Sequence, residues 1–268
     1  MKSKVNKNNK RKIIYNMPAI NLIVFFVLRF LVIICMVAQS MHGNWNNVFL
    51  CILTLILFTF PVLIKNKLHI EFPKTLEIII YLFIFASGIL GEIQNFYGIF
   101  KHWDTMLHTL NGFLCAAVGF SLVDILNRQQ DNHISMTPIF MVVVSISFSM
   151  TIGVLWEFGE FGVDTYLNRD MQKDRIISTI NSKAIGNIEY NELVSITDIN
   201  KTVIYYDNDK YYEIDGYLDI GLIDTMKDLF VNFIGALIFS LLGFLYIKDR
   251  DEYNFIERFI PFVKKMQE

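Results

Sequence analysis

The chain has 268 residues, of which 53% are hydrophobic and 15% aromatic, and its mean hydropathy is +0.40. That composition excludes an ordinary soluble domain, because several windows approach the ~20 apolar residues needed to cross a bilayer core. The net charge of −2 carries little weight, since the position of charge matters more than its sum here, and no nucleic-acid partner is expected.

The first 18 residues, MKSKVNKNNKRKIIYNMP, are basic. The apolar run behind them is too long for a signal-peptide core and no small-residue cleavage site closes it, so it reads as an uncleaved anchor. Six spans follow in order: 19–39, 47–65, 75–93, 103–127, 137–158 and 222–247. None shows the strict alternation of a barrel strand, and backbone groups in lipid must be satisfied within the segment, so all six are expected to be helices. The expected fold is therefore an all-α multi-pass bundle. Cys35, Cys51 and Cys115 fall inside spans at unrelated spacings and define neither a disulfide framework nor a thiolate metal motif.

The positive-inside rule orients the chain. Lys2, Lys4, Lys7, Lys10, Arg11 and Lys12 precede the first span, and alternation then places Lys65, Lys67, Lys74 and Arg128 on the same side. The two short opposite loops hold only Lys101 between them, and the insertion is too long for its charge to set topology. Both termini are expected in the cytoplasm, and the membrane is expected to be a bacterial cytoplasmic membrane. Residues 168–221 form an extracytoplasmic insertion whose centre, KTVIYYDNDKYYEIDGY, reads as a β-hairpin turning at Asp207-Asn208-Asp209. Residues 180–220 are the part expected to meet an extracytoplasmic partner, if the chain has one. The tail 248–268 clusters apolar residues against Arg258, Lys264 and Lys265 and reads as an interfacial segment bent at Pro261.

Topology collects the polar residues at one depth. The third span ends at GEIQ with Glu92, and the fourth begins WDTMLHTLNG with Asp104 and His108. The fifth ends LWEFGEFGVD with Glu157, Glu160 and Asp164, and the sixth begins DTMKDLFVNFIGA with Asp224, Asp228 and Asn232. Spacings of three and four put each set on one helical face. Ionisable groups inside a span are costly, about 2.5–3.5 kcal/mol at its centre, so a shared internal site is one reason to keep them. Glu92, Asp164 and Asp224 read also as solvated helix ends. Arg29, mid-span, would pair with an acid or snorkel to an interface, Asp124 reads as interfacial, and Lys227 is placed to neutralise a neighbouring carboxylate.

The three motifs in this order resemble the YjdF-like family of uncharacterised bacterial integral-membrane proteins, and more distantly VanZ-like proteins. The matching positions are Asp104, His108, Gly112, Trp156, Glu157, Glu160, Asp224, Asp228, Asn232 and Gly235. The resemblance implies a membrane location and no particular reaction, and the long connection before the last span departs from it.

The residue chemistry favours a metal-assisted or acid–base site acting on an envelope or lipid-linked substrate. His108, Glu157 and Asp228 suit a divalent metal such as zinc or manganese, with iron or magnesium also compatible. Glu160 would act as general base and Asn232 would orient the substrate, with Asp104, Asp224 and Glu92 in support. A structural polar network in a scaffold, or a proton- or ion-coupled transporter, are the alternatives from sequence.

Overall fold

The computed structural model describes residues 19–68, 70–128, 136–187, 189 and 191–263. The basic N-terminal stretch and the last lysines of the tail lie outside the described residues. Among the described residues, six helices are long and apolar enough to cross a membrane: Ala19–Met41, Trp45–Lys67, Lys74–Ile93, Trp103–Asn127, Pro138–Leu167 and Leu222–Lys248. The chain divides into two compact units, one ending at Ile152 and resuming at Val231, the other Gly153–Phe230.

In the first unit, helix α1 (Ala19–Met41) buries Asn21, Phe25, Leu28 and Val32. That is a stripe at helical period, while Ile23, Phe26, Val27 and Phe30 stay exposed, as a lipid-facing surface requires. The second span is two helices, α2 (Trp45–Leu57) and α3 (Phe60–Leu68). Pro61 supplies the break, because its imide cannot donate to the carbonyl one turn back, and the Thr59 hydroxyl covers the Ile56 carbonyl at 2.6 Å. After the short strand β1 (Ile70–Glu71), helix α4 (Lys74–Phe85) runs into a π-helical stretch, Ala86–Ile93. Gly88 in that stretch lies where a Cβ would strike the Thr54 hydroxyl at 2.5 Å. Phe25, Leu28, Val32, Cys51, Phe58, Tyr81 and Ile89 make one core.

Helix α5 (Phe96–Ile99) leads to α6 (Trp103–Arg128). Helices α7 (Pro138–Leu167) and α8 (Leu222–Lys248) contribute to both units. Within the first unit, small residues allow close helix approach. A Cβ on Gly112 would overlap the Asn232 carbonyl, and one on Gly235 would overlap the Thr109 carbonyl, so α6 and α8 meet backbone to backbone at reciprocal glycines. Beside that contact Ser149 Oγ donates to the Gly112 carbonyl at 2.9 Å and Ser145 Oγ to the Ala116 carbonyl at 2.7 Å. Ala116, Ala117, Phe120, Met141, Ala236, Phe239 and Tyr246 form the second core.

The tail does not run as an interfacial helix. It forms a 3₁₀ turn, Asn254–Phe259, whose Ile256 joins the core, and then β8 (Phe262–Val263), antiparallel to β1 through Ile70↔Val263 and Glu71↔Phe262. Tyr246 donates to Glu257 at 2.9 Å. Asp124 differs from its interfacial reading: it is buried, 3% exposed, and receives Arg250 at 2.8 Å. Arg29 lies with its guanidinium carbon 4.9 Å from the Phe25 ring centre.

The second unit holds the end of α7, the start of α8 and the strands between them. These pair as β2–β7 (Arg175–Ile177 with Tyr217–Asp219), β3–β4 (Ile180–Ser182 with Val194–Ile196) and the hairpin β5–β6 (Thr202–Tyr206 with Lys210–Ile214). Asp207, Asn208 and Asp209 all take positive φ, which short polar side chains tolerate at a turn.

Candidate functional site

In the first unit, α6 starts after Asn95, held in the left-handed region, and an aromatic knot of Phe96, Phe100 and Trp103. The next turn presents Asp104 and His108, whose Oδ1 and Nε2 lie 3.4 Å apart across one turn, both largely buried. One turn deeper, Asn111 donates from Nδ2 to Asn232 Oδ1 at 3.0 Å. Asn232, itself buried, turns its Nδ2 toward the Ser149 carbonyl at 3.4 Å. Its amide therefore ties α6, α7 and α8 together at the reciprocal-glycine contact. Asn111 and Ser149 escaped the sequence reading. For Asn111 a signal existed, since it stands three residues after His108 and shares its face. A lone serine in an apolar span gives no such signal.

The second unit explains why LWEFGEFGVD carries three acids. The helix runs on to Leu167, nine residues past the end expected from hydropathy alone. Glu157 and Glu160 are buried, whereas Leu155, Phe158 and Phe161 on the other side are exposed. The acids at three- and four-residue spacing make one face and the apolar residues the other, so the amphipathic helix persists. Trp156 donates its indole N–H to Glu160 Oε1 at 2.7 Å. Asp164 accepts the backbone amides of Met171 and Gln172 at 2.6 and 2.8 Å, closing the turn after the helix.

Asp224 is fully engaged. It accepts the Lys173 amide at 2.9 Å and Arg175 at 2.8 Å, so it fastens the first strand of the insertion to the start of α8. Lys227 lies 3.4 Å from Asp228 and 4.0 Å from Asp224, the neutralising position that its spacing implies. Asp228 is 2% exposed. Glu92 lies in the π-helical stretch and is exposed. Arg175 and Gln172, which donates to Thr225 at 2.6 Å, could not be foreseen, because their partners are distant in sequence.

The base of the insertion is acidic. Asp174 is pushed above the usual aspartate value of 3.8, by desolvation first and then by Asp170, Asp219 and Asp164. A raised acid favours the folded unit below 3.8, and that contribution fades as pH rises through the folded value. Asp174→Asn is therefore expected to slow proteolysis of the insertion at pH 7 and to leave its rate unchanged at pH 3. Limited proteolysis at both pH values measures this.

Six apolar spans with a polar face buried in them define a multi-pass membrane protein. Residues 20–249 match the family described as "Predicted membrane protein (DUF2238)", and the chain belongs to that family. It is similar to a protein of Thermotoga maritima described as "Uncharacterized protein", with 24% identity over 107 residues, 40% of this chain and 53% of the relative. The chain thus spans about half the length of that relative. No solved structure matches.

Proposed function

We propose that this protein holds a divalent metal ion, zinc or manganese by ligand type, through Asp104, His108 and Asp228, and uses it on an envelope or lipid-linked substrate in a bacterial cytoplasmic membrane. The observation that carries this reading is the backbone contact of α6 with α8 in the first unit. Asn111 touches Asn232, and one turn toward the start of each helix stand His108 and Asp228. The two helices run in the same direction through the expected topology, and in this reading the imidazole and the carboxylate serve one site, with Asp104 a further turn up. One imidazole and two carboxylates form a ligand set for such an ion.

In this reading Glu157 supplies a further carboxylate and Glu160 serves as general base, oriented by Trp156. The bound ion would polarise a substrate oxygen or lower the pKa of water. Asn232 acts as a positioning residue, since its amide is committed to neighbouring helices. The basic flanks support a reading with both termini in the cytoplasm and the site in the outer leaflet. The resemblance to YjdF-like proteins supports this location. A scaffold reading draws on the same Asn111, Asn232 and Ser149 hydrogen bonds.

Metal content separates the two. The detergent-purified chain is expected to carry stoichiometric metal by mass spectrometry, and His108→Ala and Asp228→Asn are each expected to lose it while remaining folded. A wild-type chain without metal above background, and folded, would favour the scaffold.

A further inference from the structure

A second buried polar centre lies between the first and third spans, away from the acids above. Asn21 in α1 is fully buried, and its Nδ2 donates to Glu77 Oε2 at 2.6 Å and to the Lys74 carbonyl at 3.2 Å. Tyr81, one turn on from Glu77, donates to Oε1 across a long 3.4 Å. Glu77 is 3% exposed, and among the described residues it has no lysine or arginine nitrogen within ion-pairing distance. The buried Asn21 Oδ1 has no donor among the described residues.

Two requirements coincide here. Among the described residues this buried carboxylate is held only by neutral donors and would be stabilised by a positive charge, and an amide oxygen bonded through the same carbon as Nδ2 needs a donor or an ion. A water on Oδ1 would leave the charge. A proton on Glu77 would neutralise the charge and leave Oδ1 bare, because Oε2 already accepts from Nδ2. One small cation satisfies both. We propose that Asn21 Oδ1, the Glu77 carboxylate and the Tyr81 hydroxyl form a site for a monovalent alkali cation, sodium or potassium. Hard oxygen ligands and a single negative charge match such an ion. Arg29 and Lys74 are the charged neighbours on these two helices: Arg29 is stacked on Phe25, outside ion-pairing distance of Glu77 although its charge is felt at Tyr81, and Lys74 begins α4.

The test uses the full chain in detergent, melted in sodium, potassium or choline chloride at equal ionic strength and at several pH values. Sodium or potassium is expected to raise the melting temperature by about 5 °C over choline. That increment is expected to vanish in Glu77→Gln and Asn21→Leu and to persist in His108→Ala, which separates this site from the metal site. Direct binding of radiolabelled sodium to the wild type and to Tyr81→Phe gives the same reading if either substitution impairs folding. Equal melting in all three salts, or stabilisation by low pH alone, overturns the proposal; the second result would make Glu77 a proton site. A sodium increment retained in Glu77→Gln overturns it as well.

Discussion

Leucine at position 112 is expected to yield no folded chain, and alanine there to cost about 3 kcal/mol or more, an overpacking penalty at the upper end because the obstacle is rigid. The Cβ at Gly112 would overlap the carbonyl of Asn232, a backbone atom that cannot swing aside like a side-chain tip. Separating α6 from α8 would also pull Asn111 from Asn232 and Ser149 from the Gly112 carbonyl. Gly235→Ala is expected to behave alike, because its Cβ would overlap the Thr109 carbonyl. The double substitution should cost less than the two single costs added, as one displacement relieves both overlaps. Gly159 and Gly162 provide the contrast, since nothing lies within 4 Å of a Cβ at either position. Alanine there is expected to be neutral or to stabilise by about 0.5–1 kcal/mol through helix propensity. Thermal melting in detergent ranks the four variants, and equal behaviour of Gly112→Ala and Gly159→Ala would refute the close approach.

The second large effect is expected at the opposite end of the same two helices. Arg250→Ala leaves the buried Asp124 carboxylate without its guanidinium, a loss of about 3 kcal/mol, the low end for a broken buried pair because Arg250 is part-exposed. The arginine also lies over the Tyr246 ring, 5.0 Å from its centre. Asp124→Leu combined with Arg250→Met is expected to recover most of that loss, since an apolar pair removes the desolvation penalty together with the charges. Urea or thermal unfolding of the two variants beside the wild type measures it. If Arg250→Ala melts with the wild type, the pair contributes nothing.

Much of the fold was legible because lipid imposes one rule on every span. Hydropathy located six helices, and the period of the acids anticipated that Glu157 and Glu160 share a buried face. The hairpin at Asp207–Asp209 followed from turn chemistry between β-branched runs. Other features were hidden for a physical reason. Hydropathy reads Glu157 as the end of a span, whereas the helix needs only one apolar face to continue to Leu167. Pro61 marks the break between α2 and α3, which reading 47–65 as one span passed over, and the π-helical stretch after Phe85 has no comparable marker. Asp224 looked like a helix-end acid or a site residue, and its grip on Lys173 and Arg175 depends on where the insertion returns. Asn111, Ser149 and Asn232 meet because of which helices are neighbours, and chain order alone does not set that.

The pairing of Ile70–Glu71 with Phe262–Val263 bears on how the protein is made. The first strand leaves the ribosome early, before the synthesis of four further spans and the whole insertion. Its partner arrives only after all of these, so this pairing in the first unit waits for a segment made after every span. An interruption of translation between Lys248 and Phe262 would leave a bundle that has every span and no clasp.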